Sequence, residues 1–296
     1  MKLLQTVLAA LAAVVAASAQ TPQPAALRNL EYSRPPGGPP LLLDLYRPDA
    51  GGPFPLIVWI HGGAFRSGNK EGIWYKPILN QTARGYAVAS IDYRLSGVAK
   101  FPALVVDAKA AVRWLRANAA QYNLKADRIV VAGESAGGYQ AAMLGSSGRV
   151  AEWEGAARNS RESSRVQGVI DFFGPSDLLA MDDGASACKT PLVHRAPTSP
   201  ESQLLGCNLD DCPDKAKAAS PITYVSRDAP PFLILHGQAD CQVPHSQSQR
   251  LYDALRAAGV KADLHLLPDV GHGDQRFMTA ETDKWVSEFV DSVLRK

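Results

Sequence analysis

The sequence carries little net charge. Its 31 Lys and Arg residues against 29 Asp and Glu residues leave a formal charge of +2 at pH 7. Proteins that bind nucleic acid or anionic membranes usually have a larger basic excess, because phosphate groups attract clustered Lys and Arg side chains. We therefore expect no nucleic-acid partner and no stable membrane association. Because 46% of the residues are hydrophobic, the chain has enough apolar surface for a large core.

Long apolar runs are also scarce, and the one that stands out lies at the N-terminus. Lys2 is followed by the largely apolar stretch 3–15 and by Ala17-Ser18-Ala19, which is the order found in secretory signal peptides. A membrane anchor is the alternative, but this stretch is shorter than the roughly 20 residues that span a bilayer. We predict a signal peptide over residues 1–19, cleaved near Ala19, and a secreted protein, extracellular or periplasmic. Residues 20–296 are then expected to form one domain.

Cysteine is rare, and the chain has four: Cys188, Cys207, Cys212 and Cys241. An even number of cysteines in an exported chain favours two disulfides. Zinc binding is the alternative, but the gap between Cys207 and Cys212 is wider than the Cys-x-x-Cys spacing typical of zinc ligands. Three pairings are possible for four cysteines. One of them, Cys188 with Cys241 and Cys207 with Cys212, is a hypothesis at this point.

The most informative motif is Gly133-Glu134-Ser135-Ala136-Gly137. It follows the apolar run 129–132 and precedes the small and apolar residues 138–144, so it predicts a strand, a sharp turn and a helix. Glycines two positions either side of Ser135 allow a turn tight enough to expose its hydroxyl. Backbone N–H groups at the start of the helix then point to where negative charge develops on a substrate. Ser135 is therefore the candidate nucleophile.

Three further elements occur in the order that a serine nucleophile needs. Upstream, the apolar run 55–60 leads into His61-Gly62-Gly63, where backbone N–H groups can approach a substrate carbonyl oxygen. Downstream, one predicted strand is followed by Asp240 and the next by His272. Serine, then acid, then histidine, each just past the C-terminal end of a strand, is the order found in α/β-hydrolases. We predict that Ser135, Asp240 and His272 form a catalytic triad. We predict that the backbone N–H groups of Gly62, Gly63 and Ala136 form the oxyanion hole.

Other residues compete for these roles. Of the six histidines, His272 alone follows the last predicted strand, which favours it as the base. Of the other five, His61 is expected to brace the glycine loop and His194 to line the pocket. His236 precedes the acid, His245 is expected to start a helix, and His265 is expected to pack within a strand. Asp177 is the alternative acid, but it follows the preceding strand and is expected to cap a turn or helix. Trp74 and Tyr75 either line the pocket or pack on the surface.

Short apolar runs alternate with helical patterns along the rest of the chain. Strands at 28–32 and 41–46 flank a turn-rich segment and predict an antiparallel N-terminal hairpin at a sheet edge. Further strands are predicted at 56–60, 87–92, 129–132, 166–172, 232–235 and 262–267, with the clearest helices at 103–120 and 280–294. This alternation predicts an α/β fold with a mostly parallel central sheet. The Pro- and Cys-rich segment 176–220 interrupts it and is expected to form a disulfide-braced insertion near the active site.

With these motifs, the chain resembles the secreted α/β-hydrolase carboxylesterases, in particular the bacterial feruloyl and acetyl-xylan esterases related to hormone-sensitive lipase. The resemblance covers nearly all of the mature chain and includes the Ser135 motif and the segments 43–48, 61–65, 90–95, 199–206 and 271–273. It implies an α/β-hydrolase fold and a serine esterase that needs no metal or organic cofactor. One departure is Ala64, which stands where the family usually has a third oxyanion-loop glycine, although alanine still provides a backbone N–H.

The resemblance implies a small-molecule or polysaccharide-linked ester as the substrate. A short-chain or aromatic acyl group is expected, because the insertion 176–220 is polar and the sequence has no long apolar tract to form an acyl tunnel. Two alternatives are considered. A serine peptidase of the prolyl-oligopeptidase type shares the fold and triad, but such enzymes usually carry a large propeller domain that this sequence does not contain. A non-catalytic hydrolase-like binding protein would normally have lost a member of the triad, whereas all three candidates are present here.

Overall fold

The computed structural model describes residues 25–71, 76–154, 159, 161–183 and 192–295. These residues form an eight-stranded sheet with the strand order β1-β2-β4-β3-β5-β6-β7-β8. The strands are β1 (Ala25–Ser33), β2 (Leu41–Arg47), β3 (Phe54–Ile60), β4 (Ala87–Ile91), β5 (Leu124–Glu134), β6 (Gly168–Phe172), β7 (Phe232–Gly237) and β8 (Ala262–Leu267). The predicted signal peptide at 1–19 and the residues Trp74, Tyr75 and Cys188 lie outside the described residues.

The sheet is mostly parallel. β1 pairs antiparallel with β2, and β2 pairs antiparallel with β4. The pairings from β4–β3 onward to β7–β8 are parallel. The predicted parallel core with an antiparallel hairpin at one edge is therefore confirmed.

Helices cover the sheet on both sides, as parallel crossovers require. They are α1 (Lys76–Leu79), α2 (Ala103–Ala117), α3 (Ala136–Ser146), α4 (Pro200–Leu205), α5 (Pro213–Ala218), α6 (Ser246–Ala257) and α7 (Ala280–Leu294). The bounds of α7 are those predicted, whereas α2 ends before the predicted residue 120. There the side chain of Asn118 donates a hydrogen bond to the carbonyl oxygen of Trp114 at 2.8 Å. No helix among the described residues is long and apolar enough to cross a membrane.

Two apolar layers lie on opposite faces of the sheet. In β3, Leu56, Val58 and Ile60 pack into one layer, and Ile57 and Trp59 pack into the other. Successive side chains of a strand point to opposite faces. Because both faces are covered, the core strands are continuous apolar runs, which made them easy to recognise in the sequence.

This topology brings the candidate site residues to one edge of the sheet. Parallel strands have their carboxyl ends at the same edge, and the residues that follow β5, β7 and β8 include Ser135, Asp240 and His272. Between β6 and β7 the chain forms the two short helices α4 and α5, and a disulfide joins Cys207 to Cys212 between them. This disulfide therefore cross-links the segment between β6 and β7.

Candidate active site

Ser135 occupies a strained turn between β5 and α3. Its backbone has φ 53° and ψ −118°, a region that residues other than glycine rarely adopt. A Cβ atom at Gly137 would lie 2.0 Å from the carbonyl oxygen of Ile60, and one at Gly133 would lie 2.3 Å from that of Gly137. Both positions therefore require glycine. The predicted strand, turn and helix around Ser135 are confirmed.

The three predicted triad residues are in hydrogen-bond contact. Nδ1 of His272 lies 2.6 Å from Oδ2 of Asp240, and its Nε2 lies 2.9 Å from Oγ of Ser135. An ionised carboxylate can only accept, so Nδ1 carries the proton and donates it to Asp240. Nε2 is then the acceptor for the Ser135 hydroxyl. This is the arrangement in which a histidine can remove a proton from serine.

The charge of Asp240 is stabilised on several sides. Its Oδ1 accepts hydrogen bonds from the backbone N–H groups of Gln242 at 2.8 Å and Val243 at 2.9 Å. Burial acts to raise the pKa of Asp240, but hydrogen bonds from His236 and His272 outweigh it and hold this pKa well below its usual range. The carboxylate therefore stays ionised, as is needed opposite a histidine that becomes positively charged.

His236 is a supporting residue that the sequence analysis did not identify. It is fully buried in β7, and its Nε2 lies 3.3 Å from Oδ2 of Asp240. The same ring also contacts the hydroxyl of Ser248 at 2.7 Å and the carbonyl oxygen of Val243 at 2.9 Å. The available signal was its position four residues before Asp240, but a strand-end histidine is too common to indicate such a contact.

The glycine loop after β3 is braced as predicted by His61. This ring stacks on Tyr93, with centroids 4.4 Å apart, and its Nδ1 lies 2.7 Å from the carbonyl oxygen of Gly62. Burial lowers the pKa of His61 to about 4, so the imidazole is neutral at pH 7. Gly63 has φ 109°, and a Cβ there would lie 2.1 Å from the carbonyl oxygen of Ser67.

The surroundings of the glycine loop bear on the choice of oxyanion donors. Burial raises the pKa of Glu134, and the backbone N–H of Gly62 acts on this carboxylate in the opposite direction through a hydrogen bond. A Cβ atom at Gly62 would lie 3.1 Å from Oε1 of Glu134, so Gly62 packs against this side chain. Ala64 and Ala136 line the cavity beside Ser135, whereas Gly62 and Gly63 do not. The oxyanion donors stay a prediction, and Ala64 is a further candidate beside Gly62, Gly63 and Ala136.

The cavity beside Ser135 draws its walls from several parts of the chain. The oxyanion loop and the triad contribute Ala64, Phe65, Ser135, Ala136 and His272. The insertion contributes Leu192, His194, Pro200 and Glu201, and the loop after Asp240 contributes Gln242 and Val243. The prediction that the insertion lies near the active site, with His194 at the pocket, agrees with this lining.

The competing residues have structural roles. The carbonyl oxygen of Asp177 accepts the backbone N–H of Ala180 at 3.0 Å, and the Asp177 carboxylate lies 3.8 Å from Arg250. His245 immediately precedes α6, and His265 stacks on Trp285 of α7 with centroids 3.9 Å apart. These placements agree with the expectation that Asp177, His245 and His265 do not serve as the catalytic acid or base.

Two further predictions concern the pairing of the cysteines and the alternative of a metal site. Cys207 and Cys212 form a disulfide, and no described cysteine is free. Pairing of Cys188 with Cys241 stays a prediction, since Cys188 lies outside the described residues. Within the described ranges, no group of three or more His, Cys, Asp or Glu side chains could hold a metal ion.

Comparison with known proteins now identifies the family. Residues 43–255 match the family BD-FAE. The chain belongs to this family of α/β-hydrolase esterases. The match includes the glycine loop, the Ser135 turn and Asp240, and it ends before His272.

Curated relatives and solved structures agree with this assignment. Esterase LipC of Mycobacterium tuberculosis is 32% identical over 75% of this chain and 53% of its own length. Esterase LipQ of the same organism is 33% identical over 88% of this chain and 60% of its own length. The chain thus spans little more than half the length of these two relatives.

Among solved structures, a truncated carbohydrate esterase from gut microbiota superimposes with a TM-score of 0.81 at 32% identity. That match covers 92% of this chain and 97% of the other. An acetyl ester-xyloside bifunctional hydrolase from Caldicellulosiruptor lactoaceticus gives a TM-score of 0.70 at 25% identity, covering 87% of this chain and 89% of the other. The α/β-hydrolase fold is therefore shared over most of the chain.

Proposed function

We propose that the protein is a serine carboxylesterase, with Ser135, His272 and Asp240 as its catalytic residues. The observation that carries this proposal is the continuous hydrogen-bond chain from Oγ of Ser135 through the His272 ring to Asp240. Membership of the BD-FAE family supports it.

Acylation begins when Oγ of Ser135 attacks the ester carbonyl carbon and His272 accepts the hydroxyl proton at Nε2. Asp240 stabilises the resulting imidazolium through the short contact to Nδ1. Backbone N–H groups of the glycine loop and of Ala136 hold the oxyanion of the tetrahedral intermediate, where one such donor typically contributes about 3 kcal/mol of barrier lowering.

Acylation is complete when His272 gives its proton to the leaving alkoxide, and the acyl group stays on Oγ of Ser135 as an ester. In deacylation, His272 takes a proton from a water molecule, which attacks the acyl carbonyl carbon. His272 then returns this proton to Oγ of Ser135 as the acid is released, which restores the starting state. Every proton moves through groups that the chain itself supplies, and the proposed mechanism uses no cofactor.

For the substrate, we propose short-chain or aromatic acyl esters, with acetyl or feruloyl esters of plant polysaccharide as the class. The carbohydrate esterase and the acetyl ester-xyloside hydrolase among the structural relatives support this. So does the mixed wall of the cavity, which places Glu201 and His194 beside Leu192 and Phe65. A long fatty acyl chain needs a deep apolar trench, in which each buried methylene contributes about 0.8 kcal/mol.

We also propose that the chain is exported, with a signal peptide at 1–19 and one hydrolase domain over 20–296. The disulfide between Cys207 and Cys212 supports an oxidising compartment, since disulfides are rare in the cytosol. Within the domain, residues 176–220 are proposed as the insertion that shapes the substrate cavity.

The test is a substrate panel. Purified protein is assayed on p-nitrophenyl acetate, butyrate and palmitate, methyl ferulate, acetylated xylan and a proline p-nitroanilide. We expect the acetate, butyrate or ferulate ester to be hydrolysed with a much higher kcat/KM than the palmitate ester. Preference for palmitate would contradict the proposed acyl class, and hydrolysis of the anilide alone would favour the peptidase.

A further inference from the structure

A buried ion pair lies in the wall of the cavity, outside the triad. Glu201 in α4 is 3% exposed and His194 is 2% exposed, and Oε2 of Glu201 lies 2.9 Å from Nδ1 of His194. Both residues line the cavity that contains Ser135 and His272. A charged pair at such a position is costly unless it is well bonded, so its presence in a substrate cavity needs a reason.

The surroundings of His194 favour its protonated form. Burial acts to lower the pKa of His194, but the hydrogen bond and charge of Glu201, with a contribution from Asp182, outweigh it, so the net pKa is raised. The Asp182 carboxylate also accepts the backbone N–H of His194 at 2.9 Å. The His194 side chain is thus fixed in place as the partner of Glu201.

The pair leaves one oxygen of Glu201, a residue that lines the cavity, available as an acceptor. His194 occupies Oε2 of Glu201, whereas Oε1 accepts no hydrogen bond from the residues that the structure describes. A carboxylate has about four acceptor positions, so Oε1 can accept further hydrogen bonds. A donor that enters the cavity with the substrate would satisfy this oxygen.

We propose that Glu201, positioned by His194, binds a hydroxyl group of the substrate through Oε1. This assignment rests on the proposed esterase function, because it names a substrate feature recognised in the same cavity. A site that is built to bond a hydroxyl discriminates strongly against an analogue without it, because its own polar group is then left unpaired.

The neighbouring side chains indicate what carries this hydroxyl. Leu192, which lines the cavity, and Val193 are 39% and 59% exposed. Their apolar surface beside a charged acceptor fits a ring that has an apolar face and hydroxyl groups at its edge. Both a phenolic acyl group and a sugar on the alcohol side have this chemistry, so the test includes both sources.

The experiment measures kcat/KM on two matched substrate pairs. The first is methyl ferulate and its 4-O-methyl ether. The second is a monoacetylated methyl xyloside and its O-methylated counterpart. We expect the wild-type protein to favour the hydroxylated member of at least one pair by about ten-fold or more, the effect of a hydrogen bond to a charged group. The pair that responds identifies the source of the hydroxyl.

The variant Glu201→Gln should bring this ratio close to one. His194 retains the amide oxygen as its acceptor, which turns the NH₂ group of the glutamine toward the cavity and replaces the charged acceptor with a donor. The matched control is Glu288→Gln, at an exposed position on α7, which should keep the wild-type ratio. A wild-type ratio near one for both pairs, or an equal loss on both members in Glu201→Gln, would overturn the assignment.

Two measurements separate this assignment from the proposed function. Hydrolysis of p-nitrophenyl acetate, which has no hydroxyl, reports on the esterase function alone. Calorimetric binding of each pair to Ser135→Ala reports on the subsite without turnover and without altering Glu201. Tighter binding of a hydroxylated member supports the subsite, and equal binding within both pairs contradicts it.

Discussion

The ring of Phe173 packs against the imidazole of His272, with centroids 4.7 Å apart and an interplanar angle of 63°. Phe173 has φ 44°, which is an uncommon conformation for a bulky residue and persists only when its surroundings fix it. The N–H of Phe173 donates to the carbonyl oxygen of Leu235 at 2.8 Å, and the N–H of Gly174 donates to Oδ1 of Asp171 at 2.9 Å. This turn therefore positions the candidate base.

We expect Phe173→Leu to lower kcat by about 10-fold to 100-fold with little change in KM, because a misplaced catalytic group loses rate more than affinity. The measurement is steady-state hydrolysis of p-nitrophenyl acetate. Phe232→Leu is the control, since Phe232 is equally buried but packs in the apolar layer on the other face. If both variants lowered kcat alike, the effect would be a general loss of packing.

Asp171 should make stability depend on pH. Burial raises the pKa of Asp171 to about 7, and its Oδ2 has no hydrogen-bond partner. Between about pH 4 and pH 7 the folded protein keeps a proton that the unfolded chain has lost, so the free energy of unfolding contributed by this group falls as the pH rises. Above about pH 7 this contribution levels off.

Asp171→Asn removes this titration, so the variant should gain stability relative to the wild type as the pH rises through that range. Urea unfolding of both proteins at several pH values measures the difference. A difference in unfolding free energy that is constant with pH would show that Asp171 has an ordinary pKa.

The two candidate acids should respond very differently to the same substitution. Asp240→Asn removes the charge opposite His272 and disturbs its tautomer, with an expected loss of kcat of up to about 10⁴-fold. Asp177→Asn should have a mild effect, because that carboxylate lies 3.8 Å from Arg250 and does not contact His272. The matched assays are run on p-nitrophenyl acetate, and a reversed order of the two effects would place the acid after β6.

The sequence predicted most of the fold because buried parallel strands and amphipathic helices leave local patterns. The apolar runs located β3 to β8, and residue spacing located α7 at the observed bounds. Ser135, Asp240 and His272 could be chosen because strand ends of a parallel sheet meet at one edge. Their roles as a catalytic triad remain a proposal.

What the sequence could not predict depends on contacts between distant segments. The support of Asp240 by His236 and the pair of His194 with Glu201 follow no local periodicity. The direction of the Gly62 N–H depends on how the glycine loop lies beside Glu134, so Gly62 and Ala64 could not be distinguished from the motif. The strained turn at Phe173 likewise has no signature in residue type.

All four cysteines should be oxidised in exported protein. Thiol labelling of the native protein without reduction, followed by mass spectrometry, is expected to find no modified cysteine. Peptide mapping should recover the Cys207–Cys212 bridge and a second bridge between Cys188 and Cys241. Each bridge that constrains the unfolded chain typically contributes about 2–4 kcal/mol to stability. Two or more labelled cysteines would contradict this prediction.

The most direct test of the account is to trap the acyl-enzyme. The protein is mixed with p-nitrophenyl acetate, quenched in acid during the first turnover and digested, and the acetylated peptide is sequenced by mass spectrometry. We predict that the acetyl group is on Ser135, and that Ser135→Ala stays folded, is not acetylated and loses about 10³-fold or more in turnover. Acetylation at another residue, or retention of more than about a tenth of wild-type turnover by Ser135→Ala, would contradict Ser135 as the nucleophile.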